Sequence, residues 1–565
     1  MGTSRAATCH SPCGHPDLAL LIDLFGYLSI ILHGVTIVVQ SMALGGTLFL
    51  VFLVRPFAAT LPDSATLVRR TSVIAGCSAL GLAAVEVLVV AMQVAVLMDT
   101  VGLGMLQTLT AQFAEAGLVK AAAAELLGAL LLARRPAPAL QLLAPCAVVL
   151  VAATLMTHAA ARLTGGPVLL AATALHVLGA AIWVGGIPSF IMVLGRLNDG
   201  ASFRRVGARF SRMSMLGVAC ILVSAATMTW FYVGSWEGVY GTAYGVMITA
   251  KVVMFGALLL LGLGNFLVVE RLRTDPSTPV LRMRRFAEVE IGIGFSIFFA
   301  AASLTSVPPA VDLVHDRATW AEIVERNTPQ WPRLTSPDFD SLALPVLQAQ
   351  LDAEAARART AAPPAFTPGA GELSTRNAAD VAWSEYNHQW SGLFVLAIGV
   401  LGLLHRAGVR AARHWPLVLL GLAAFLFVRS DPEAWPLGYV GFFESFRDVE
   451  VLQHRMFIAL IVAFALFEWG VGTGRLRRPG AALVFPLLTA LGGALLLTHS
   501  HAIANVKDQL LVEVSHTPLA LAGIGAGWFR WLELRADGPI RRWAGWVWPV
   551  CFLIVGGILL IYREA

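Results

Sequence analysis

The stretch from Leu497 to His516 carries three histidines, His499, His501 and His516, between two strongly apolar segments. This placement puts the imidazoles where one membrane helix ends and the next begins. Ionisable side chains are costly near the hydrocarbon core of a bilayer and need partners there, so several together indicate a functional site. Neutral imidazole is also the commonest protein ligand of transition metals. The stretch therefore predicts a metal or cofactor site at a membrane surface.

His499 and His501 can bind the same ion only if the helix that carries them has already ended. Side chains two residues apart on a regular helix point in different directions. The polar run Asn505-Val506-Lys507-Asp508 follows shortly afterwards. We therefore expect the helix to end near His499.

The composition places the chain among membrane proteins. Of 565 residues, 57% are hydrophobic and only 13% are charged, and the mean hydropathy of +0.73 lies outside the range of soluble globular proteins. Apolar runs of bilayer length recur along the chain, which predicts an all-α, polytopic integral membrane protein with about 14 transmembrane helices. The polar stretch before the first apolar run, and the length of that run, argue against a cleavable signal peptide.

Changes in composition divide the chain into four parts. We expect an external tail at residues 1–17, a membrane domain of about eight helices at 18–307, a linker at 308–385, and a second membrane domain of about six helices at 386–565. The linker is rich in Pro and Ala and has no apolar run long enough to cross a bilayer.

Basic residues orient the helices. Arginines cluster in alternate connections, around residues 55–70, 134–135, 204–212, 271–285, 406–413, 475–478 and 530–542. Basic loops stay on the cytoplasmic side of a membrane, so both termini and the linker are expected in the periplasm. The net charge of +5 is spread over these loops and does not indicate binding to nucleic acid. No nucleotide-binding loop or phosphorylation motif of an ATP-driven pump is found.

This orientation places five histidines of the second domain at the external membrane surface. They are contributed by four helix ends: His388, His454, His499, His501 and His516. Carboxylates on the same side can bind a metal or accept a hydrogen bond from an imidazole: Asp431, Glu433, Glu444, Asp448 and Glu450. The alternative for a single histidine is a cap or a packing contact at a helix end.

The first domain repeats the pattern with fewer residues. His158, His176 and His33 lie near or within the spans, and Met156 precedes His158. Thioether and imidazole together suit Cu(I), while an interhelical hydrogen bond is the alternative for His33. Four charged residues lie inside apolar spans and either pair with one another or line an ion pathway: Glu86, Lys120, Glu125 and Lys251.

The N-terminal tail adds a separate candidate site. Cys9, His10, Cys13 and His15 lie within seven positions and can bind a soft metal ion or, through the two thiols, form a disulfide. The alternative is a disordered tail in which these residues have no shared role.

Several motifs of the first domain resemble the copper resistance protein D (CopD) family of bacterial inner-membrane proteins. They are the stretch from His176 through Trp183 to Gly186, the Arg209-Phe210-Ser211 triplet, and Tyr244-Gly245 followed by Lys251. The second domain resembles a C-terminal extension found on some members. The resemblance implies copper handling at the periplasmic face, through uptake of copper delivered by a periplasmic copper-binding protein.

Three function classes remain open from the sequence. The first is a copper-binding permease without enzymatic activity. The second is a membrane cytochrome, since paired histidines on adjacent helices can ligate haem b and would give an oxidoreductase role. The third is a membrane assembly protein or scaffold that acts through the linker. An optical spectrum and an elemental analysis of the purified protein show whether it binds haem, copper or neither.

Overall fold

The structure, a computed structural model, describes residues 16–61, 63–162, 164–338, 378–432, 434–447, 449–498 and 506–564. Over these residues it is helical and contains no β-strand, apart from an isolated bridge between Ala434 and Val440. The all-α prediction is therefore confirmed.

The first bundle is built from twelve helices, some of them a single turn. They are α1 (Pro16–Phe49), α2 (Ser64–Thr100), α3 (Met105–Leu109), α4 (Gln112–Leu132), α5 (Ala139–Leu155), α6 (His158–Ala161), α7 (Gly166–Ala180), α8 (Ile187–Leu194), α9 (Gly200–Tyr232), α10 (Trp236–Tyr240), α11 (Ala243–Thr274) and α12 (Leu281–Leu304). Side-chain caps start two of the long helices: Asp199 accepts from the Ser202 amide before α9, and Thr242 accepts from the Gly245 amide before α11.

The second bundle follows a short helix of the linker, α13 (Trp320–Asn327). Its helices are α14 (Ala378–Arg406), α15 (Val418–Arg429), α16 (Val449–Gly472), α17 (Val484–Leu496), α18 (Val506–Arg535) and α19 (Gly538–Leu560). Short 3₁₀ turns occur at Ala310–Asp312, Arg410–Leu417, Ser445–Arg447 and Ala481–Leu483.

Eleven helices of the described residues are long and apolar enough to cross a membrane. Two further apolar helices, Ala139–Leu155 and Ala481–Leu496, are shorter, and α4 has 21 residues but contains Glu115, Lys120 and Glu125. The polytopic membrane class is confirmed by these lengths and compositions, while the count of about 14 spans stays a prediction.

Several helices begin before the apolar segments from which we predicted them. The arginines 204–212, which we expected in a loop, lie in the first turns of α9, which starts at Gly200. In the same way α18 starts at Val506 rather than near Thr517. Arginine is a good helix former and can extend its charged end to water, so a helix need not stop where its apolar residues do.

The first bundle contains a very close crossing between α1 and a π-helical turn, Ala181–Gly185, which continues α7. A Cβ atom on Gly185 would lie 1.9 Å from the carbonyl oxygen of Ser41, and one on Gly45 would lie 2.1 Å from that of Ala181. Pro188 in the first turn of α8 has no amide hydrogen to donate, which favours an irregular turn just before it. Small residues allow backbones to approach in membrane helices, and here both partners are glycine.

One apolar cluster extends from the first bundle into the second. Ala490, Ala494 and Trp528 of the second bundle belong to the same buried cluster as the core of the first. At the edge of this contact, the Glu288 carboxylate accepts hydrogen bonds from Arg285 Nη1 at 2.5 Å, Trp531 Nε1 at 3.0 Å and Arg535 Nη2 at 3.2 Å. The division into two domains stays a prediction, but both bundles pack as one body.

The Gly185 crossing gives a stability prediction. Gly185→Ala puts a methyl group inside the α1 backbone, so we expect it to destabilise the protein by about 3 kcal/mol or more. Gly256→Ala is the matched control, since nothing lies within 4 Å of its Cβ position and alanine is the better helix former. Thermal denaturation in detergent measures both variants. Equal midpoints for Gly185→Ala and the wild type would contradict the close crossing.

Candidate functional site

The structure brings two of the predicted metal ligands together, His388 on α14 and His516 on α18. Each lies ten residues after the first residue of its helix, about 15 Å along the axis. Their ring centroids are 6.3 Å apart and the ring planes make an angle of 78°. His516 therefore lies within its helix. The apolar span had led us to expect it at the start of the helix.

Backbone carbonyls one turn earlier orient both rings. His388 Nδ1 lies 2.8 Å from the Ser384 carbonyl oxygen, and His516 Nδ1 lies 3.0 Å from that of Val512. A carbonyl can only accept, so in the neutral imidazole Nδ1 carries the proton and Nε2 carries the lone pair. This is the arrangement that second hydrogen bonds impose on metal-binding histidines.

Tyr562 packs against both rings. Its ring stacks on His388 with centroids 4.1 Å apart and meets His516 edge-on at 5.7 Å. The Tyr562 hydroxyl donates to the Glu564 carboxylate at 3.0 Å, and its carbonyl oxygen accepts from Gln389 Nε2 at 2.8 Å. Ser384 also donates to the Glu564 carboxylate. The aromatic group is thus held on two sides and limits the movement of the imidazoles.

His454 has a different partner. Its Nδ1 lies 2.6 Å from Asp431 Oδ1, and Asp431 also accepts from the Ser430 hydroxyl at 2.8 Å. The neighbouring Arg455 donates to the carbonyl oxygens of Phe427 and Trp435 and anchors this end of α16. Asp431 therefore takes the position expected of a carboxylate that fixes an imidazole.

The structure describes only part of the remaining predicted group. Glu444 is exposed. Outside the described residues lie the tail group and part of the second-bundle group: Cys9, His10, Cys13, His15, Glu433, Asp448, His499, His501 and the side chain of Glu450. Among the residues that the structure describes, no group of three or more His, Cys, Asp and Glu side chains is placed to hold a metal ion.

The first-bundle candidates fall into two places. His158 is exposed, and its Nε2 lies 2.9 Å from the Thr305 carbonyl oxygen at the end of α12. His33 on α1 lies within electrostatic range of His158 and Lys120. His176 instead faces α9, with Nδ1 3.0 Å from Ser224 Oγ. The expected single site of His33, His158 and His176 is therefore divided between two helix interfaces.

The charged residues of the spans behave in three ways. Lys120 and Glu86 form a buried ion pair between α4 and α2, with Nζ and Oε2 2.8 Å apart. A Cβ on Gly117 would lie 3.4 Å from Glu86 Oε1 and 3.6 Å from the Met156 methyl carbon, so Met156 packs beside this pair. Glu125 is exposed on α4, and Lys251 lies on α11 within electrostatic range of His176.

The central helix α1 carries a buried polar face that continues from His33. Thr36, Gln40 and Thr47 follow at helical spacing and are 3%, 5% and 0% exposed. Thr47 donates to the Ala43 carbonyl oxygen at 2.7 Å. A buried polar face inside an apolar bundle can line an ion pathway.

Sequence reasoning missed several buried carboxyl groups, among them Glu290, Glu468 and Glu513, which are 3%, 3% and 5% exposed. Glu290 on α12 accepts from Asn265 Nδ2 at 2.5 Å. Each is an acidic residue within an apolar run, which is the signal that could have identified it.

A comparison with protein-family models finds a match within the first bundle. Residues 204–304, from α9 to α12, match the family model described as copper resistance protein D. The copper transport protein CutJ of Bacillus subtilis (strain 168) is 31% identical over 137 residues, which is 24% of this chain and 24% of that protein. The chain thus aligns with about a quarter of the length of this curated relative. No solved structure matches. The resemblance to the copper resistance protein D family is therefore confirmed for the α9–α12 segment of this membrane protein.

Proposed function

We propose that this protein handles copper at the periplasmic face of a bacterial inner membrane and carries it into the bundle, without enzymatic activity. The observation that carries the proposal is the pair His388 and His516, whose rings are held 6.3 Å apart by centroid. The family match supports the metal, since residues 204–304 belong to a copper resistance family.

The spacing of the two rings suits a small ion. A bond from a metal to an imidazole nitrogen is about 2.0 Å long, so two such bonds and the two half-rings span roughly the observed distance. Cu(I) accepts low coordination numbers and binds imidazole in its neutral form. We propose that His499 and His501, in the neighbouring connection, complete this site.

Haem b is the alternative cofactor for two histidines on different helices. Tyr562 argues against it, because its ring contacts His388 at 4.1 Å and His516 at 5.7 Å between centroids. A macrocycle between the two imidazoles would need the volume that this ring occupies. A single ion needs no such volume.

The first bundle would take the ion further. His158 at the surface, His33 below it and the polar face of α1 form a succession of polar groups toward the bundle centre. Met156, beside the Lys120–Glu86 pair, adds a thioether that suits Cu(I). A periplasmic copper-binding protein is the proposed donor at the outer surface.

Copper binding by the full-length protein tests the histidine pair. The double variant His388→Ala/His516→Ala should lower the affinity for Cu(I) about tenfold or more, because it removes both nitrogen ligands. A competition titration with a chromophoric Cu(I) chelator measures it. His405→Ala, an exposed histidine of α14, is the matched control and should bind as the wild type does. Equal affinity in all three proteins would exclude the pair as a copper site.

Reporter fusions test the orientation. A reporter inserted after Ala362 should be active in the periplasm, and one inserted after Arg410 should be active in the cytoplasm. The reason is the distribution of arginine over the connections. Reversed signals at the two positions would place the histidines on the cytoplasmic side.

His176, at the separate interface with α9, tests whether the proposed route also passes through that part of the first bundle. His176→Ala should reduce copper accumulation in cells while the amount of membrane protein stays near normal. His315→Ala is the control, since His315 is exposed in the connection after α12. A fall in protein amount would instead assign His176 to packing, through its hydrogen bond with Ser224.

A further inference from the structure

A cavity of about 370 Å³ lies between α9, α11 and α12, next to the π-helical turn of residues 181–185. Its lining recurs every three or four residues along each helix, as on α11 at Leu259, Gly262, Phe266 and Val269. From the first to the last of these, α11 advances by ten residues, so the cavity extends about 15 Å along the helix axis. A cavity of this shape suits an extended ligand.

The walls of the cavity select a hydrocarbon ligand. Its one carboxyl group, Glu290, already accepts hydrogen bonds from Asn265 Nδ2 at 2.5 Å and from the Trp183 side chain. The remaining lining is apolar apart from Ser211 and Ser214. Hydrocarbon that fills such a cavity gains dispersion contacts along the walls and stabilises the surrounding helices.

The cavity opens toward the lipid. Met215, Leu259 and Leu263 line it and are also 53%, 37% and 53% exposed at the protein surface. They lie on α9 and α11, which are both long and apolar enough to cross a membrane. A methylene group has about the volume of a water molecule in the liquid, roughly 30 Å³, so the cavity takes on the order of ten methylene groups. That is the greater part of one fatty acyl chain.

A basic side chain lies at the edge of this opening. Arg212 precedes Met215 by three residues, so the two share one face of α9 near its arginine-rich end. Arg212 is exposed, and its Nε donates to the Ala208 carbonyl oxygen at 3.3 Å. Among the residues that the structure describes, no carboxylate pairs with it. A guanidinium group at the boundary of an apolar span is well placed to pair with a lipid phosphate.

We propose that this cavity is a phospholipid site, in which one acyl chain lies along α9, α11 and α12 and the phosphate of the same lipid pairs with Arg212 beside the opening. The bound chain fills the space next to Trp183 and so supports the π-helical turn from the side opposite to α1. The site takes lipid and no metal, so it does not depend on the proposed copper function.

Photo-crosslinking of the full-length protein in lipid nanodiscs tests this site. The probe is a phosphatidylglycerol that carries a diazirine in one acyl chain, and mass spectrometry of the labelled peptides should find it on the cavity residues of α9 and α11. Gly262→Leu should abolish this labelling, because the new side chain fills the cavity. A Cβ at this position would lie 3.6 Å from Trp183, an ordinary contact distance. Gly256→Leu on the same helix is the matched control, since nothing lies within 4 Å of its Cβ position.

Two exposed residues test the opening. Met215→Trp places a larger ring across the opening and should reduce the labelling of the cavity several-fold, while its exposure leaves folding intact. Arg212→Gln should weaken the labelling about fivefold, because it removes one positive charge beside the headgroup. Arg134→Gln, which changes an exposed arginine in the connection after α4, should have no effect.

Labelling of the exposed α19 surface near Trp543 is the internal reference and should stay constant in every variant. Wild-type labelling of the cavity in Gly262→Leu would overturn the proposal, and so would an equal loss in Gly256→Leu. If Gly262→Leu does not reach the membrane, wild-type labelling in Met215→Trp overturns it instead. Wild-type labelling in Arg212→Gln would contradict the phosphate contact and with it the site as proposed.

Discussion

The close approach of α1 to the π-helical turn at Gly185 is the contact on which the first bundle depends. Backbone meets backbone there, with no side chain between Gly185 and Ser41. This brings the turn to the centre of the bundle, where Trp183 reaches the cavity of Glu290 on the far side. The same contact places the polar face of α1 in the interior. One steric constraint thus positions the polar face along which the proposed route runs.

An ionisable group inside a membrane needs a partner, and the buried charged groups of this protein have partners of different kinds. Lys120 and Glu86 neutralise one another, and Glu288 is surrounded by arginine and tryptophan donors at the contact between the bundles. Breaking such a buried pair is more destabilising than replacing both members. Glu290 differs, because its hydrogen-bond donors are the neutral side chains of Asn265 and Trp183. Neutral donors therefore satisfy this carboxyl group where basic side chains satisfy the others.

Patterns of residue type predict the all-helical membrane class correctly, because apolar length and the absence of breakers are local properties. They also predict His388 and His516 for one site, and the structure places the centroids of these two rings 6.3 Å apart. They predict Asp431 as an imidazole partner, and its Oδ1 lies 2.6 Å from His454 Nδ1. The start of α18 is missed, since helix propensity continues beyond the apolar residues. The π-helical turn and the joined cores are missed because they depend on contacts between helices distant in sequence.

The contact between the bundles restricts which residue can occupy position 292 of α12. A Cβ on Gly292 of α12 would lie 1.6 Å from Trp528 Cζ2, so the indole of the second bundle rests directly on the α12 backbone. In a protein that had the first bundle alone, position 292 would face lipid and could carry any apolar side chain. The packing of the second bundle thus requires glycine at this position. Any larger residue there would clash with the Trp528 indole.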